Sequence, residues 1–170
     1  MAYVSGIPAR RNSHLIPAGI ALLLGGLVAP LHITLLSASW PLIWVPFAVV
    51  AMWPGRASAL PSALMLLLGG LWVDWATLGP TGQWSLVYLV TYAVMRPDTS
   101  ESGRGMAVQV ARAVPALLVA LPVLALTGRF VYGVWPEWTV VARGIVVFAL
   151  FVPVLALGRE IFASRLSGDD

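Results

Sequence analysis

Long apolar stretches without a single charge constrain this chain more than any other feature. The runs Ala18–Leu31 and Gly144–Leu157 would be apolar on every face of a helix. Of the 170 residues, 59% are apolar and 10% are charged, whereas soluble domains have about 45–50% and about 25%. Because so few charges cannot cover a water-facing surface, the sequence excludes a soluble enzyme, a nucleic-acid-binding domain and a disordered tail. It predicts an integral membrane protein.

The apolar runs predict one helical bundle and no separate soluble domain. A membrane helix needs about 20 residues, so six runs account for most of the chain. The second and fourth runs are shorter than a full crossing requires. We therefore predict an all-α membrane protein, a single bundle of six transmembrane helices over residues 1–170 with helices 2 and 4 short. The predicted spans are 15–36, 40–54, 59–78, 83–95, 106–128 and 138–158.

The first run has two interpretations. Arg10 and Arg11 precede it, and the small residues Ser37 to Ser39 follow it, as in a cleaved secretory signal peptide. The apolar core is longer than the 7–15 residues typical of such a peptide. This length favours a retained first helix.

The distribution of arginine predicts the orientation. Cytoplasmic loops of membrane proteins carry an excess of basic residues. With six spans and both termini in the cytoplasm, only Arg129 and Arg143 fall outside. If the second run were re-entrant, the third helix would cross in the opposite direction and carry the next basic loop outside. Six spans with both ends inside is the better arrangement. The inside set is then Arg10, Arg11, Arg56, Arg96, Arg104, Arg112, Arg159 and Arg165.

One acidic residue lies inside a hydrophobic run. Asp74 is near the outer end of the third predicted helix, at a depth shared by His32, Tyr88 and Arg143. An unpaired charge at this depth costs at least a few kcal/mol. We expect a buried Asp74–Arg143 ion pair that fixes helix neighbours, with His32 and Tyr88 as secondary hydrogen-bond partners. A ligand or partner-docking role for Asp74 is the alternative, and this layer offers too few ligands for a metal site.

Small residues form a second pattern. Ala21, Gly25 and Ala29 recur every fourth residue, and Gly70 lies one turn before Asp74. Such faces let helix backbones approach closely inside lipid. Two readings stay open at this stage, packing within the bundle and docking of a partner's membrane helix.

Aromatic residues gather near the same depth. Trp84, Tyr88 and Tyr92 share one face of the fourth predicted helix, and Trp72 and Trp75 flank the acidic residue. They could line a pocket for an apolar or cationic ligand, although such residues more often form the bundle core or interfacial belts. The chain has no phosphate-binding glycine loop and no HExxH motif. We predict no catalytic, cofactor-binding or metal-binding residue.

The segment Trp40–Arg96 resembles the rod-shape-determining MreD family. Within it, Gly70–Asp74 reads Gly-Leu-Trp-Val-Asp and Leu78–Gly82 reads Leu-Gly-Pro-Thr-Gly. MreD proteins are small inner-membrane proteins of similar length, with a G-L-x-x-D segment followed by an L-G-x-x-G turn. Their short second helix, rich in proline and aromatic residues, is also matched here.

The resemblance implies a non-enzymatic inner-membrane subunit of the bacterial cell-elongation complex. Such a subunit supports peptidoglycan synthesis and cell shape, with no cofactor. Its implied partners are MreC, the cytoskeletal MreB, the glycosyltransferase RodA and the elongation-specific penicillin-binding transpeptidase.

The chain is also similar to the substrate-binding subunits of energy-coupling-factor vitamin transporters. These are six-helix bundles that dock partners through small-residue faces, and the aromatic layer around Asp74 is where a vitamin would sit. A vitamin-binding subunit should have an open outward pocket with several convergent polar groups. A scaffold should instead fill this layer with its own side chains or with a partner's helix.

Overall fold

The computed structural model describes residues 15–35, 38–54, 57–95 and 110–167, and this part of the chain forms six helices and one β-hairpin. The mostly helical character is confirmed, as is the shortness of the second and fourth helices. The elements in chain order are α1 (Leu15–Val28), β1 (His32–Leu35), β2 (Ala38–Pro41), α2 (Trp44–Ala51), α3 (Ala59–Ala76), α4 (Gln83–Met95), α5 (Ala113–Tyr132) and α6 (Trp138–Ser167).

The β-hairpin corrects the all-α prediction. Strands β1 and β2 pair antiparallel, with Ile33 opposite Trp40. They occupy the end of the predicted first span and the start of the predicted second span. Pro30 follows α1 closely and cannot continue a helix because it lacks a backbone N–H. Ile33 and Thr34 are β-branched residues, which favour strands.

Helix α2 is the buried centre of the bundle. All eight of its residues are buried, and it contacts α1, α4, α5 and α6. Its length is only about 12 Å. A helix covered on every side can be apolar all round, which explains why this short run shows no polar face. Pro46 is tolerated because it lies in the first turn, where its missing N–H would have no helical partner.

Helices α1 and α3 run parallel to one another. Gly19 of α1 lies against Met65, and Gly26, two turns later, lies against Trp72. Because the contacts advance along both helices together, the chain must reverse twice between them. A re-entrant second run would send α3 the opposite way, which the parallel contacts of α1 and α3 do not fit.

Helices α2, α4 and α6 also run parallel to one another. Aromatic residues early in α2 meet residues early in α4 and α6, and later residues meet later ones. Helix α3 is joined to α4 by a short turn and packs beside it. The contact pairs are Trp44–Trp84 and Phe47–Tyr88 between α2 and α4, and Trp44–Gly144 and Phe47–Phe148 between α2 and α6.

Helix α5 runs antiparallel to α4, since bonds join opposite ends of the two. The Gln83 amide donates to the Thr127 hydroxyl at 3.1 Å, and the Arg112 guanidinium donates to the Met95 carbonyl at 2.8 Å. Direction therefore alternates along the six helices. The β-hairpin, the α3–α4 turn, the end of α5 and the start of α6 lie together at one end of the bundle, called here the hairpin end.

Three helical segments in the described chain are long and apolar enough to cross a membrane: Ala59–Ala76, Ala113–Val131 and Trp138–Gly158. Helix α1 is a shorter apolar helix. Large apolar side chains such as Leu60 and Leu118 are also exposed on the outside of the bundle. Exposed apolar side chains in such number are typical of a surface that contacts lipid or a protein partner.

Much of the basic set that predicts orientation falls outside the described residues. This applies to Arg10, Arg11, Arg56, Arg96 and Arg104, and the side chains of Arg159 and Arg165 are likewise not described.

Candidate functional site

The Asp74 carboxylate caps the start of the next helix. Asp74 lies near the end of α3 and is 1% exposed. One carboxylate oxygen accepts the Gly82 backbone N–H at 2.8 Å, and the other accepts the Trp84 backbone N–H at 3.0 Å. The first N–H groups of a helix have no intrahelical acceptor and attract negative charge. Asp74 therefore supplies both an acceptor and a charge to the N-terminus of α4.

A capping side chain normally comes from the residue at the helix start. Here that residue is Gly82, whose carbonyl accepts the first intrahelical bond from Leu86. Gly82 has a φ of +94°, a conformation that L side chains rarely adopt. Because glycine has no side chain to cap the helix, the capping carboxylate comes from α3 instead.

The main chain around Asp74 closes α3 at the same place. The Gly79 N–H donates to the Asp74 carbonyl at 2.9 Å, and the Leu78 N–H donates to the Trp75 carbonyl at 3.3 Å. This pair of bonds is a Schellman motif, which requires a left-handed residue after the helix. Leu78 occupies that position with a φ of 53°. The two sequence motifs that resemble MreD thus form one structural unit, in which each half completes the other.

Gly70 sets the distance between α3 and α4. A Cβ atom at this position would overlap the backbone of Ser85. The Ser85 hydroxyl of α4 also bonds to α3, donating to the Leu67 carbonyl at 3.0 Å. Gly70 is therefore used inside the bundle, and a partner's helix cannot dock in that groove.

The small-residue face of α1 is also occupied by the chain itself. A Cβ atom at Gly25 would lie 3.1 Å from the Pro46 Cα atom of α2. Ala29 is buried beyond the end of α1, and Ala21 is partly buried against the core. Gly25 and Ala29 thus pack inside the bundle, and Ala21 does so in part.

The expected Asp74–Arg143 ion pair is not formed between these two described side chains. The Arg143 guanidinium donates to the Ser39 carbonyl of β2 at 3.3 Å, while Asp74 is bonded to the α4 backbone. Both residues lie at the hairpin end, Asp74 near the end of α3 and Arg143 near the start of α6. The Trp44 ring meets Trp84, whose backbone N–H donates to Asp74. The same ring lies against Gly144, the neighbour of Arg143.

Within the residues that the structure describes, neither of the secondary partners expected for Asp74 forms a hydrogen bond with it. His32 belongs to exposed strand β1, and its Nδ1 atom lies 3.1 Å from the Pro30 carbonyl oxygen. The Tyr88 ring is fully buried and stacks on Phe47. Its hydroxyl is buried with no hydrogen-bond partner among the described residues.

The interior at the level of Asp74 is filled by aromatic rings. The rings of Trp44 and Trp84 meet edge to face at 6.0 Å, and Phe47 lies 5.2 Å from Phe148. These four side chains, together with Tyr88, are at most 5% exposed. The expected aromatic face of α4 is therefore core, with Tyr92 partly buried against it.

One surface feature was missed at the sequence level. The hairpin and α6 enclose an apolar groove of about 250 Å³, lined by Ile33, Trp40 and Leu42 on one side and by Val147, Leu150 and Phe151 on the other. Its two walls come from distant segments, one of them the unexpected hairpin. The spacing of apolar residues along α6 was the only available signal, and a lipid-facing helix shows the same spacing.

The chain matches no protein-family model, and neither a curated protein nor a solved structure matches it.

Proposed function

We propose that the chain is a non-enzymatic inner-membrane scaffold subunit of the bacterial cell-elongation complex. The observation that carries the proposal is the filled interior at the Asp74 layer. Binding sites for small molecules are concave and keep several convergent polar groups. Here the equivalent space holds the packed rings of Trp44, Phe47, Trp84, Tyr88 and Phe148.

The use of Asp74 supports the same proposal. Both of its carboxylate oxygens are bonded to backbone N–H groups of the chain itself. A buried acid committed to a helix cap is poorly placed to bind a substrate or transfer a proton. The segment that resembles MreD is thus architectural, as expected of a family without a known catalytic residue.

The membrane arrangement belongs to the proposal as well. Alternating helix directions are what six passages through an inner membrane require, with both termini in the cytoplasm. As a helix, α2 covers only part of the bilayer thickness, and the hairpin before it covers a further part. The neighbouring helices shield α2 from lipid, so its length need not match the bilayer thickness.

Vitamin binding is the alternative, and the same filled interior argues against it. A vitamin-binding subunit with this sequence would have to displace large buried aromatic side chains, because the packed rings leave that layer no room. The lining residues of the groove beside the hairpin are all apolar or aromatic, whereas a vitamin site needs several convergent polar groups.

The test is recovery of partners from a native membrane. The tagged chain, solubilised in mild detergent, should retain MreC, RodA or the elongation-specific transpeptidase, with MreB recovered through them. An unrelated inner-membrane protein carrying the same tag is the control. A copurifying vitamin or ATPase module, without these partners, would instead identify a transporter subunit.

A further inference from the structure

The groove between the hairpin and α6 is apolar throughout and open to the surrounding lipid. Leu42 and Val147 form its buried floor, each 6% exposed. Ile33 and Leu150 form exposed edges. The groove therefore has the chemistry of a hydrocarbon-binding surface.

A cation lies at one end of this groove. Arg143 precedes Val147 by one helical turn and Leu150 by two, so the three share a face of α6. Its guanidinium donates to the Ser39 carbonyl, and Ser39 adjoins Trp40, which lines the groove. A guanidinium has five N–H donors in a planar fork suited to phosphate. Within the described part of the chain, one of the five is used.

The order of these groups along α6 matches that of a membrane lipid. Helix α6 begins at Trp138, at the hairpin end, and the segment Trp138–Gly158 is apolar enough to cross the bilayer. Arg143 lies in its second turn, near the membrane surface. From there to Phe151 the groove runs about 12 Å toward the membrane interior. A phosphate at Arg143 would thus leave its hydrocarbon chain pointing inward along the groove.

We propose that this groove is a binding site for an anionic phospholipid, with the phosphate on Arg143 and one acyl chain between the hairpin and α6. The proposal is independent of the scaffold function, since only Trp40 and Leu42 among the groove residues belong to the segment that resembles MreD. A charged guanidinium bonds a phosphate more strongly than it bonds a neutral carbonyl. The apolar walls replace contacts that the acyl chain would otherwise make with neighbouring lipids.

The size of the groove distinguishes a lipid from a partner's helix. A helix is about 10–12 Å wide with its side chains, so a segment 12 Å long occupies about 900–1,400 Å³. The groove holds about 250 Å³. A single acyl chain is slender enough to enter it, whereas a helix would rest on its edges.

Native mass spectrometry of the purified chain tests the proposal with three probes. These are phosphatidylglycerol, diacylglycerol with the same acyl chains, and inorganic phosphate. We expect phosphatidylglycerol to bind about tenfold more tightly than diacylglycerol, because charge-assisted bonds to phosphate add to the acyl contact. Inorganic phosphate alone should not be retained, since the site needs the acyl chain.

Two variants separate the charge from the groove. Arg143→Gln keeps an N–H donor for Ser39 but removes the charge, and should abolish the preference for phosphatidylglycerol over diacylglycerol. Leu150→Trp fills the groove and should weaken both lipids. Matched controls on α5 are Arg129→Gln and Leu118→Trp, because Leu118 is 67% exposed and Leu150 is 65% exposed. Both controls should bind lipid as the parent chain does.

Three results would overturn the proposal. The first is undiminished phosphatidylglycerol binding by both groove variants while they remain folded. The second is an equal loss in the α5 controls, which would indicate general adhesion of lipid. The third is a photoreactive residue at position 150 that captures a protein helix instead of lipid in native membranes, which would assign the groove to a partner.

Discussion

The carboxylate of Asp74, in the last turn of α3, accepts the backbone N–H of Trp84, in the first turn of α4, at 3.0 Å. This bond ties the end of one helix to the start of the next through a buried acid. Its companion bond to Gly82 uses the second carboxylate oxygen. The charge that hydrocarbon would otherwise penalise is thus stabilised by the positive end of a helix dipole, without a cationic side chain.

Replacing Asp74 should destabilise the bundle. Asp74→Ala leaves the part-buried Gly82 N–H and the buried Trp84 N–H without an acceptor, at a cost of about 2–4 kcal/mol in the free energy of unfolding. Asp74→Asn keeps one acceptor oxygen and should lose less. Unfolding of the purified variants in detergent measures both. Equal losses for the two variants would contradict a capping role.

Arg143 should not rescue that loss. Because Asp74 and Arg143 share no hydrogen-bond partner, the double variant Asp74→Ala/Arg143→Ala should show additive losses, within about 0.5 kcal/mol. A double-mutant cycle on the unfolding free energy measures the coupling. If the double variant were more stable than Asp74→Ala, that result would support the Asp74–Arg143 ion pair that the sequence predicts.

The turn after α3 can be improved. Leu78 has a left-handed backbone, which costs an L residue about 1–2 kcal/mol, and its side chain is 91% exposed. Leu78→Gly should therefore raise the free energy of unfolding by about 1 kcal/mol. Leu118→Gly, at an exposed position inside α5, should lower it by about 1 kcal/mol. If both substitutions lowered the free energy of unfolding, contacts of the Leu78 side chain would contribute more to stability than its left-handed backbone costs.

Glycines in close contact should differ from glycines in open positions. Gly70→Ala places a Cβ atom against the Ser85 backbone, which cannot rotate away as a side chain can. We expect a loss of several kcal/mol, of the order seen for overpacked cores. Gly158→Ala is the matched control, because nothing lies near its Cβ position within α6, and it should be neutral or stabilising. Thermal unfolding of the two variants compares them directly, and equal tolerance would contradict the close approach of α3 and α4.

Reporter fusions test the orientation of the bundle. Fusions at Ser102 and Asp170 should read cytoplasmic, and a fusion at Trp135, at the hairpin end, should read periplasmic. The reason is the excess of arginine in the segments assigned to the cytoplasm. A periplasmic signal at Ser102 would overturn the six-span arrangement.

Much of the helical architecture could be predicted from the sequence because apolar runs report lipid contact and burial directly. Depth along each run also placed Asp74 and Arg143 at the same end of the bundle. Depth is only one coordinate, however, and the angle of a residue around the bundle depends on which helices become neighbours. The prediction of an Asp74–Arg143 ion pair was wrong for that reason.

The β-hairpin and the distant cap could not be predicted for a different reason. The residues of β1 continue an apolar run, so hydropathy does not distinguish a strand there from the end of a helix. Pro30 was the one local signal of a break. The cap on α4 was hidden because its acceptor lies eight residues before Gly82, whereas capping signals are sought at the helix start itself.

Helix α2 has a consequence for the order in which the chain is made. Its enclosure comes from α1 before it and from α4, α5 and α6 after it. During synthesis α2 therefore leaves the ribosome before α4, α5 and α6, which later enclose it. Trp44 meets Gly144 and Phe47 meets Phe148 only once α6 has been synthesised. A chain that stopped before α6 would leave both rings open on that side, so the centre of the bundle is complete only after α6, the last of these six helices, has been synthesised.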